Sequence, residues 1–424
     1  MVVTIPLHKR PMFQGIFGAV FGVASVAGPL IGGLFTTKVS WRWCFYINLP
    51  VGGVVVAVIL LILQTKPSKN TDTIRQQIVK LDPWGTLVFL PGVVCLLLAL
   101  QWGGTTYPWG SARIIVLFIL AAILLGTFVR IQFWQGDNAT VPIRIIKQRS
   151  VASGVYFSIT SPGSMMVIIY FLPLWFQAIK GVSAVKSGID TLPLVLSLVV
   201  ASIFSGILTQ KSGYYVPQLL ACSVIMSIGA GLLTTLKTDT GSGKWIGYQV
   251  LYGFGLGLGM QQAGMAAQTC LDKKDVMTGV ALMFFMQGLG GSIFISIGQA
   301  VFTHSLVSHL SKVANLNPSL IVNTGATELR NLVPPQYLEK VLVAYDAALS
   351  DVLKVAVGCA SATILAGLTM EWKSIKGLKQ GGASGEAERK MAEDKKRDGN
   401  GEKTVESPPG TAVEQVAPVV PKEG

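Results

Sequence analysis

The chain has 424 residues, 51% hydrophobic and 13% charged, with 47 glycines and a formal net charge of +13. Soluble domains carry about 25% charged residues, so an ordinary water-soluble enzyme is excluded. Residues 1–372 hold 24 Lys and Arg against 12 Asp and Glu, dispersed between apolar runs rather than gathered into a stripe, which excludes a nucleic-acid binder as well.

A hydrocarbon core about 30 Å thick needs about 20 helical residues to cross it. Ten apolar runs qualify, at 13–36, 43–63, 84–101, 112–134, 152–177, 187–209, 217–236, 245–266, 278–303 and 350–371. Lipid forces each backbone to pair within its own segment, and the runs lack the alternation of barrel strands. The expected fold is therefore all-α, a polytopic membrane protein of about ten transmembrane helices. One set of connections, from Lys9 and Arg10 to Lys273 and Lys274, carries thirteen cations; the alternate short connections carry seven. The positive-inside rule then places the first set, and both termini, in the cytoplasm. The sequon Asn138-Ala139-Thr140 falls on that side and is expected to stay unmodified.

Residues 304–349 are expected to form a long exterior loop, in which Gln336–Ala348 has the spacing of a short packing helix leading into the last run. Residues 373–424 mix Lys, Glu, Gly and Pro with almost no aromatics and predict a disordered cytoplasmic tail. Residues 1–12 are too short and polar to be read as a signal peptide, so none is expected there. Cys44, Cys95, Cys222, Cys270 and Cys359 are scattered without a CxxC pair, so neither a metal nor a redox cofactor is expected.

Polar groups inside the runs are informative because each is costly in lipid unless it faces a cavity or a partner. No Asp, Glu, Lys or Arg lies deep within the ten; Asp190 and Glu371 sit at ends. What remains is amide-rich: Asn48, Gln177, Gln249, Gln261, Gln262, Gln268, Gln287 and Gln299. Gln261 and Gln268 are seven apart and share a helix face with Gly264. Asn48, Gln177, Gln261, Gln262, Gln268 and Gln287 are candidates for a neutral, hydrogen-bonding path for an apolar solute. Interhelical bonding alone accounts equally well for any one of them.

Glycines cluster twice. In the first run, Gly18/Gly22 and Gly28/Gly32 are small-xxx-small pairs that would admit a close helix, with Gly33 beside them, and Pro29 would bend the chain. In the eighth run, Gly253, Gly255, Gly257 and Gly259 would free two faces at once. A sliding or rocking contact explains such density better than static packing. No buried nucleophile–base pair, metal cluster or phosphate loop is visible, so the chain is expected not to be an enzyme.

The stretch Pro6–Gly53, with Gly18, Ala27-Gly28-Pro29, Gly32-Gly33 and WRWCFYINLPVG, closely resembles the fifth and sixth helices of fourteen-span drug:proton antiporters of the major facilitator superfamily. Tyr170–Ile189 and Tyr252–Gln262 resemble the fungal toxin and multidrug efflux pumps of that branch. The resemblance runs to about Glu371 and implies a major facilitator fold. It implies that Gly18, Gly22, Gly28, Pro29, Gly32 and Gly33 form the antiporter motif of exporters. It also implies a layout: residues 1–63 as a partial amino-terminal bundle of two spans, 64–149 as linker helices, and 150–372 as a carboxy-terminal six-helix bundle. The chain is accordingly expected to be an amino-terminally truncated form of such a carrier.

The implied function is proton-coupled efflux of a hydrophobic small molecule, a toxin, secondary metabolite or drug, with lipid, that solute and protons as partners. A plasma-membrane location is expected, with the vacuolar membrane as the alternative. No nucleic-acid or protein partner is expected. Two other functions stay open: an uptake carrier, for instance of an iron chelate, or a non-transporting membrane partner of a full-length carrier.

Overall fold

A computed structural model describes residues 9–62, 82–104, 106–136, 139–311 and 333–376. Among the described residues every regular element is a helix, apart from one isolated bridge between Gly103 and Tyr107. The expected tail (all but its first few residues), the sequon's Asn138 and residues 312–332 of the 304–349 segment lie outside them.

In chain order the helices are α1 (Arg10–Lys38), α2 (Trp43–Tyr46), α3 (Asn48–Ile62), α4 (Pro83–Trp102), α5 (Ala112–Gln135), α6 (Ile143–Ile146) and α7 (Arg149–Ala178). There follow α8 (Ala184–Asp190), α9 (Leu192–Ser212), α10 (Val216–Leu233), α11 (Ser242–Gly259), α12 (Gln262–Cys270), α13 (Val276–Leu310) and α14 (Pro335–Thr369). Local chemistry sets many of the ends. Pro11, Pro83, Pro193, Pro217 and Pro335 stand in the first turn of their helices, where a missing N–H goes unnoticed. Ser111 and Ser183 cap α5 and α8 by accepting from the N–H groups of Ile114 and Lys186. Gly213, at φ +83°, closes α9 in the left-handed conformation that glycine adopts freely.

The residues up to Ile375 pack as one unit. Helix α7 is its centre, with 19 of its 30 residues buried, and α8, α12, α13 and α14 surround it. Helix α11 packs between α9 and α10, α10 joins this group to α14, and α1 lies along α9. The α4–α5 hairpin leans on α13. By contrast no residue of α3 is buried.

Eight helical stretches among the described residues are long and apolar enough to cross a membrane. Two differences from the sequence reading stand out. The run 245–266 is broken: α11 stops at Gly259 and α12 starts at Gln262, so one expected rod is two. The expected loop 304–349 is shortened because α13 continues to Leu310, while the helix expected at Gln336–Ala348 is present and α14 carries it from Pro335 unbroken into the last run. Each has 35 residues, about 52 Å at about 1.5 Å per residue, well beyond a core of about 30 Å. Helix α14 thus also carries Asp346, Asp351 and Lys354. Asp346 accepts from the Trp175 indole at 2.7 Å; Asp351 bonds Lys354 at 2.7 Å and Ser305, with His309 at 3.5 Å.

One buried residue conflicts with its surroundings. Gln218 is 2% exposed and neither its Nε2 nor its Oε1 has a partner. An unpaired buried amide costs about 1–3 kcal/mol. Gln218→Leu, close in volume, is expected to raise the thermal midpoint of the purified protein, with a gain of about 1 kcal/mol or more. A fall in the melting curve would reveal a partner for the amide.

Candidate functional site

The seam between α1 and α9 is closed over one half and open over the other. At the end where Arg10 lies, small residues bring the two backbones together. A Cβ on Gly15 would stand 2.9 Å from the carbonyl oxygen of Ser202, and one on Gly206 would stand 2.6 Å from that of Pro11. Beyond them a Cβ on Gly18 would collide with the Ser202 hydroxyl, and one on Gly22 with a Val199 methyl. The Ser202 hydroxyl donates across the seam to the Gly15 carbonyl at 3.4 Å. Gly18 and Gly22 therefore act as the close-approach pair that their spacing suggested.

Gly28 and Gly32 do not. Neither would meet anything within 4 Å if it carried a Cβ, and Gly28 is exposed. The expected second contact pair is thus corrected, because α9 does not follow α1 along its last two turns. Gly33 would approach only a Val185 methyl, at 2.9 Å. Helix α1 stays helical through residue 29, whose side chain lies outside the described set.

Where the helices part there is a cavity of about 460 Å³. Its walls come from the end of α1 (Gly32, Gly33), from α2 (Cys44), from α7 (Ile168, Leu172, Gln177), from α8 (Ser187), from Thr191 between α8 and α9, and from α9 (Leu194). No lining residue is charged, and most are aliphatic. Gln177 is the one carboxamide on the wall; its Nε2 donates to Ser187 Oγ at 3.0 Å, and that hydroxyl donates to the Ala184 carbonyl at 2.9 Å. A wall of this kind accepts an apolar, uncharged molecule of drug size and offers it one hydrogen-bonding corner.

The other candidate amides lie elsewhere. Gln261, Gly264 and Gln268 do share a face, and it is turned to α1. Gln261 Nε2 lies 3.8 Å from a Cβ placed on Gly18, Gln14 Nε2 lies 3.7 Å from one on Gly264, and Gln268 Oε1 accepts from Arg10 at 3.3 Å. Gln262 points the other way, donating to Ser205 at 2.8 Å and Thr209 at 3.3 Å. These amides tie helices together at the closed end and line no large cavity. Asn48 is exposed and donates to the carbonyls of Cys44 and Phe45 in the preceding turn, so it closes its own helix start. Gln287 borders a separate space of about 10 Å³ beside Phe157 and Met260. Sequence reasoning passed over Gln14, four residues before Gly18, although a lone amide in an apolar run was the same signal that marked the others.

The eighth-run glycines work in two pairs. A Cβ on Gly253 or Gly257 would enter the backbone of α9 at Leu194 or Leu198, and one on Gly255 or Gly259 would strike Met226 or Cys222 of α10. Positions four apart share a face of a helix, so α11 is smooth on two sides.

The closed end is also stapled by charge. Arg144 holds Asp275 through two bonds, at 2.7 and 2.8 Å, and Arg149 donates to the Thr369 carbonyl at 2.6 Å. Tyr215 donates to the Glu371 carbonyl at 2.9 Å. The Lys373 ammonium, 2.8 Å from Glu371, holds that carboxyl below its ordinary range and is itself raised by the bond. Among the described residues no group of three His, Cys, Asp or Glu side chains could hold a metal.

Residues 2–295 match the family described as Major Facilitator Superfamily. The chain is 51% identical over 379 residues to the MFS-type efflux pump MFS1 of Arthroderma benhamiae, covering 89% of this chain and 71% of that protein. It is 49% identical over 372 residues to the rubrofusarin-specific efflux pump aurT of Gibberella zeae, covering 88% and 68%. To the efflux pump aflT of Aspergillus parasiticus it is 48% identical over 376 residues, covering 88% and 73%. Helices built to cross lipid, a seam of small residues beside an uncharged cavity, and this likeness along most of its length place the chain in the major facilitator superfamily, as a multi-pass membrane transporter and not an enzyme.

Proposed function

We propose that the chain exports a neutral, largely apolar organic solute, and that the cavity between α1, α2, α7, α8 and α9 is where that solute rests before release. The observation that carries this is the asymmetry of the α1–α9 seam, closed at the Arg10 end and parted around 460 Å³ of uncharged space at the other. In this reading the Arg10 end faces the cytoplasm. Arg10, Arg144, Lys147, Arg149, Lys211, Lys273 and Lys274 cluster there by connection, as the positive-inside rule asks. The stretch Gly28–Gly33 serves as the antiporter motif by closing on α8 and α9 in the alternate state. Helices α7–α14 act as the carboxy-terminal bundle, α4 and α5 as linker helices, and α1–α3 as part of the opposite bundle. The plasma membrane is the site of action, and an inward proton gradient drives the step. Relatives named as efflux pumps, one of them rubrofusarin-specific, support export of an apolar metabolite.

The test is loss of Nile red, a neutral apolar fluorophore, from yeast lacking its own drug exporters. Cells expressing the chain are expected to lose dye several-fold faster than vector controls, and a protonophore is expected to abolish the difference. Gln177→Leu is expected to change the ranking of apolar solutes of differing polarity with unchanged protein level. Equal loss with and without the chain, or net accumulation of dye, would overturn the reading.

A further inference from the structure

Beside the break between α11 and α12, polar side chains from three helices surround a small internal space. Gln14 of α1 is 9% exposed and Gln262 of α12 is 3% exposed. Gln262 spends its N–H groups on Ser205 and Thr209, and its Oε1 receives no hydrogen; Gln14 Oε1 receives none either. Both residues line one cavity of about 10 Å³, with Ser202, Ser205 and Gln261 on the same wall. The two hydroxyls there are committed, Ser205 to the Leu258 carbonyl at 2.6 Å and Ser202 to the Gly15 carbonyl at 3.4 Å. Among the described residues the remaining protein donors on that wall are the carboxamide N–H groups of Gln14 and Gln261.

Two unmet buried acceptors would each cost about 1–3 kcal/mol. The cavity is the order of size that holds a single water, and waters settle where two to four polar groups converge. It is too small for the solute of the larger cavity, and no carboxylate lines it to hold a cation. We propose that this is a binding site for one internal water molecule, which donates to Gln14 Oε1 and Gln262 Oε1 and joins α1 to α9 and α12 at the closed end of the seam. A bond made through water can be remade with bulk solvent when two helices part. A water here therefore suits a contact that must open and re-form better than a direct side-chain bond would.

X-ray radiolysis of the purified protein in lipid nanodiscs tests this. Ionised bound water yields hydroxyl radicals that oxidise an adjacent side chain even where bulk solvent cannot reach it. Met265 lines the cavity and is 1% exposed; Met226, 0% exposed in the core on α10, is the dry reference. Met265 sulfoxide is expected to form at least fivefold faster than Met226 sulfoxide. In the double variant Gln14→Leu with Gln262→Leu, the Met265 rate is expected to drop to that of Met226. A wild-type Met265 rate no greater than that of Met226, or a Met265 rate unchanged in the folded variant, would overturn the site. A variant that misfolds announces itself by fast oxidation of both methionines, and the wild-type comparison then decides alone.

Discussion

Gly257→Leu is expected to leave almost no folded protein, whereas Gly28→Leu is expected to leave folding intact and remove export. The difference lies in what a side chain would meet. At Gly257 the first added carbon already overlaps the Leu198 carbonyl of α9 and stands 2.7 Å from Ala201 Cβ and 3.0 Å from the Ser202 N–H. Those obstacles are mainly backbone, so α9 and α11 must separate along their whole contact. Ordinary overpacking costs about 1–3 kcal/mol, and displacing a helix costs more. Gly28 faces open space, and replacing a helical glycine with a better helix former gains about 0.5–1 kcal/mol. If the end of α1 closes on α8 and α9 during transport, leucine at 28 blocks that closure, and efflux of Nile red should fall at least tenfold at unchanged melting temperature. Undiminished efflux by the Gly28→Leu chain would mean that this stretch is only lipid-facing surface. Gly22 gives an internal check, since its obstacle is the Val199 side chain: Gly22→Ala should be rescued by Val199→Ala, while no partner substitution should rescue Gly257.

Asp82→Ala is expected to be the most damaging change in the α4–α5 hairpin. Its carboxylate is fully buried at the start of α4 and accepts from five donors. The Gly85 N–H binds at 2.7 Å, the Gln132 and Gln135 amides at 2.7 Å each, and Thr140 through its hydroxyl at 2.9 Å and its N–H at 3.2 Å. Alanine would strand at least two buried donors at about 1–3 kcal/mol each, so the loss is about 3 kcal/mol or more. It would also hold a left-handed φ of +47°, which Asp and Asn tolerate better than alanine. Asp82→Asn should therefore be intermediate. Melting of purified protein in detergent orders the three, and a midpoint unchanged in Asp82→Ala would show that the knot contributes nothing.

The pH dependence has a definite sign. Burial pushes the Asp82 carboxyl up, but the bonds from Gln132, Gly85 and Thr140 outweigh it and hold the carboxyl below its ordinary value. A lowered folded-state value means that the contribution is complete above about pH 4, the ordinary aspartate range, and is lost as pH falls further. Wild type should melt at the same temperature from pH 5 to pH 8 as far as this group is concerned. The difference between wild type and Asp82→Ala should shrink only in stronger acid.

Much of this was legible in the sequence because lipid imposes a simple rule. A backbone with no water to bond must bond itself, so each long apolar run had to be a helix. The alternating glycines 253 to 259 were readable for a related reason: positions four apart share a face, and each pair found a neighbour. The break at Met260–Gln261 was hidden, since the run is long enough for one continuous rod and no proline marks where it stops. Gly28 and Gly32 misled because a small-residue pair shows that a helix can approach, while its arrival depends on where α9 diverges. Gln261 and Gln268 were placed correctly on one face, yet that face meets α1 and not the large cavity. The cavity is lined by Gly32, Gly33 and Gln177, which the sequence marked, and also by Cys44 and Ser187, residues too ordinary in sequence to mark a site. Asp82 stood just before Pro83, a familiar helix start, but its other donors lie fifty or more residues away.

The charged pair Asp351–Lys354 on α14 and the pair Glu371–Lys373 just beyond its end have a consequence for how the chain sits in lipid. Between Lys354 and the end of α14 at Thr369 the helix rises roughly 22 Å at about 1.5 Å per residue. A hydrocarbon core about 30 Å thick is longer than that stretch, so the Asp351–Lys354 pair must reach along the helix toward the interface. A sterol-rich bilayer about 32–33 Å thick would have to thin around the protein or pull the Asp351 pair inward, at a fraction of a kcal/mol for each ångström of mismatch. The spacing of these charges thus works as a ruler that thins the bilayer around the protein.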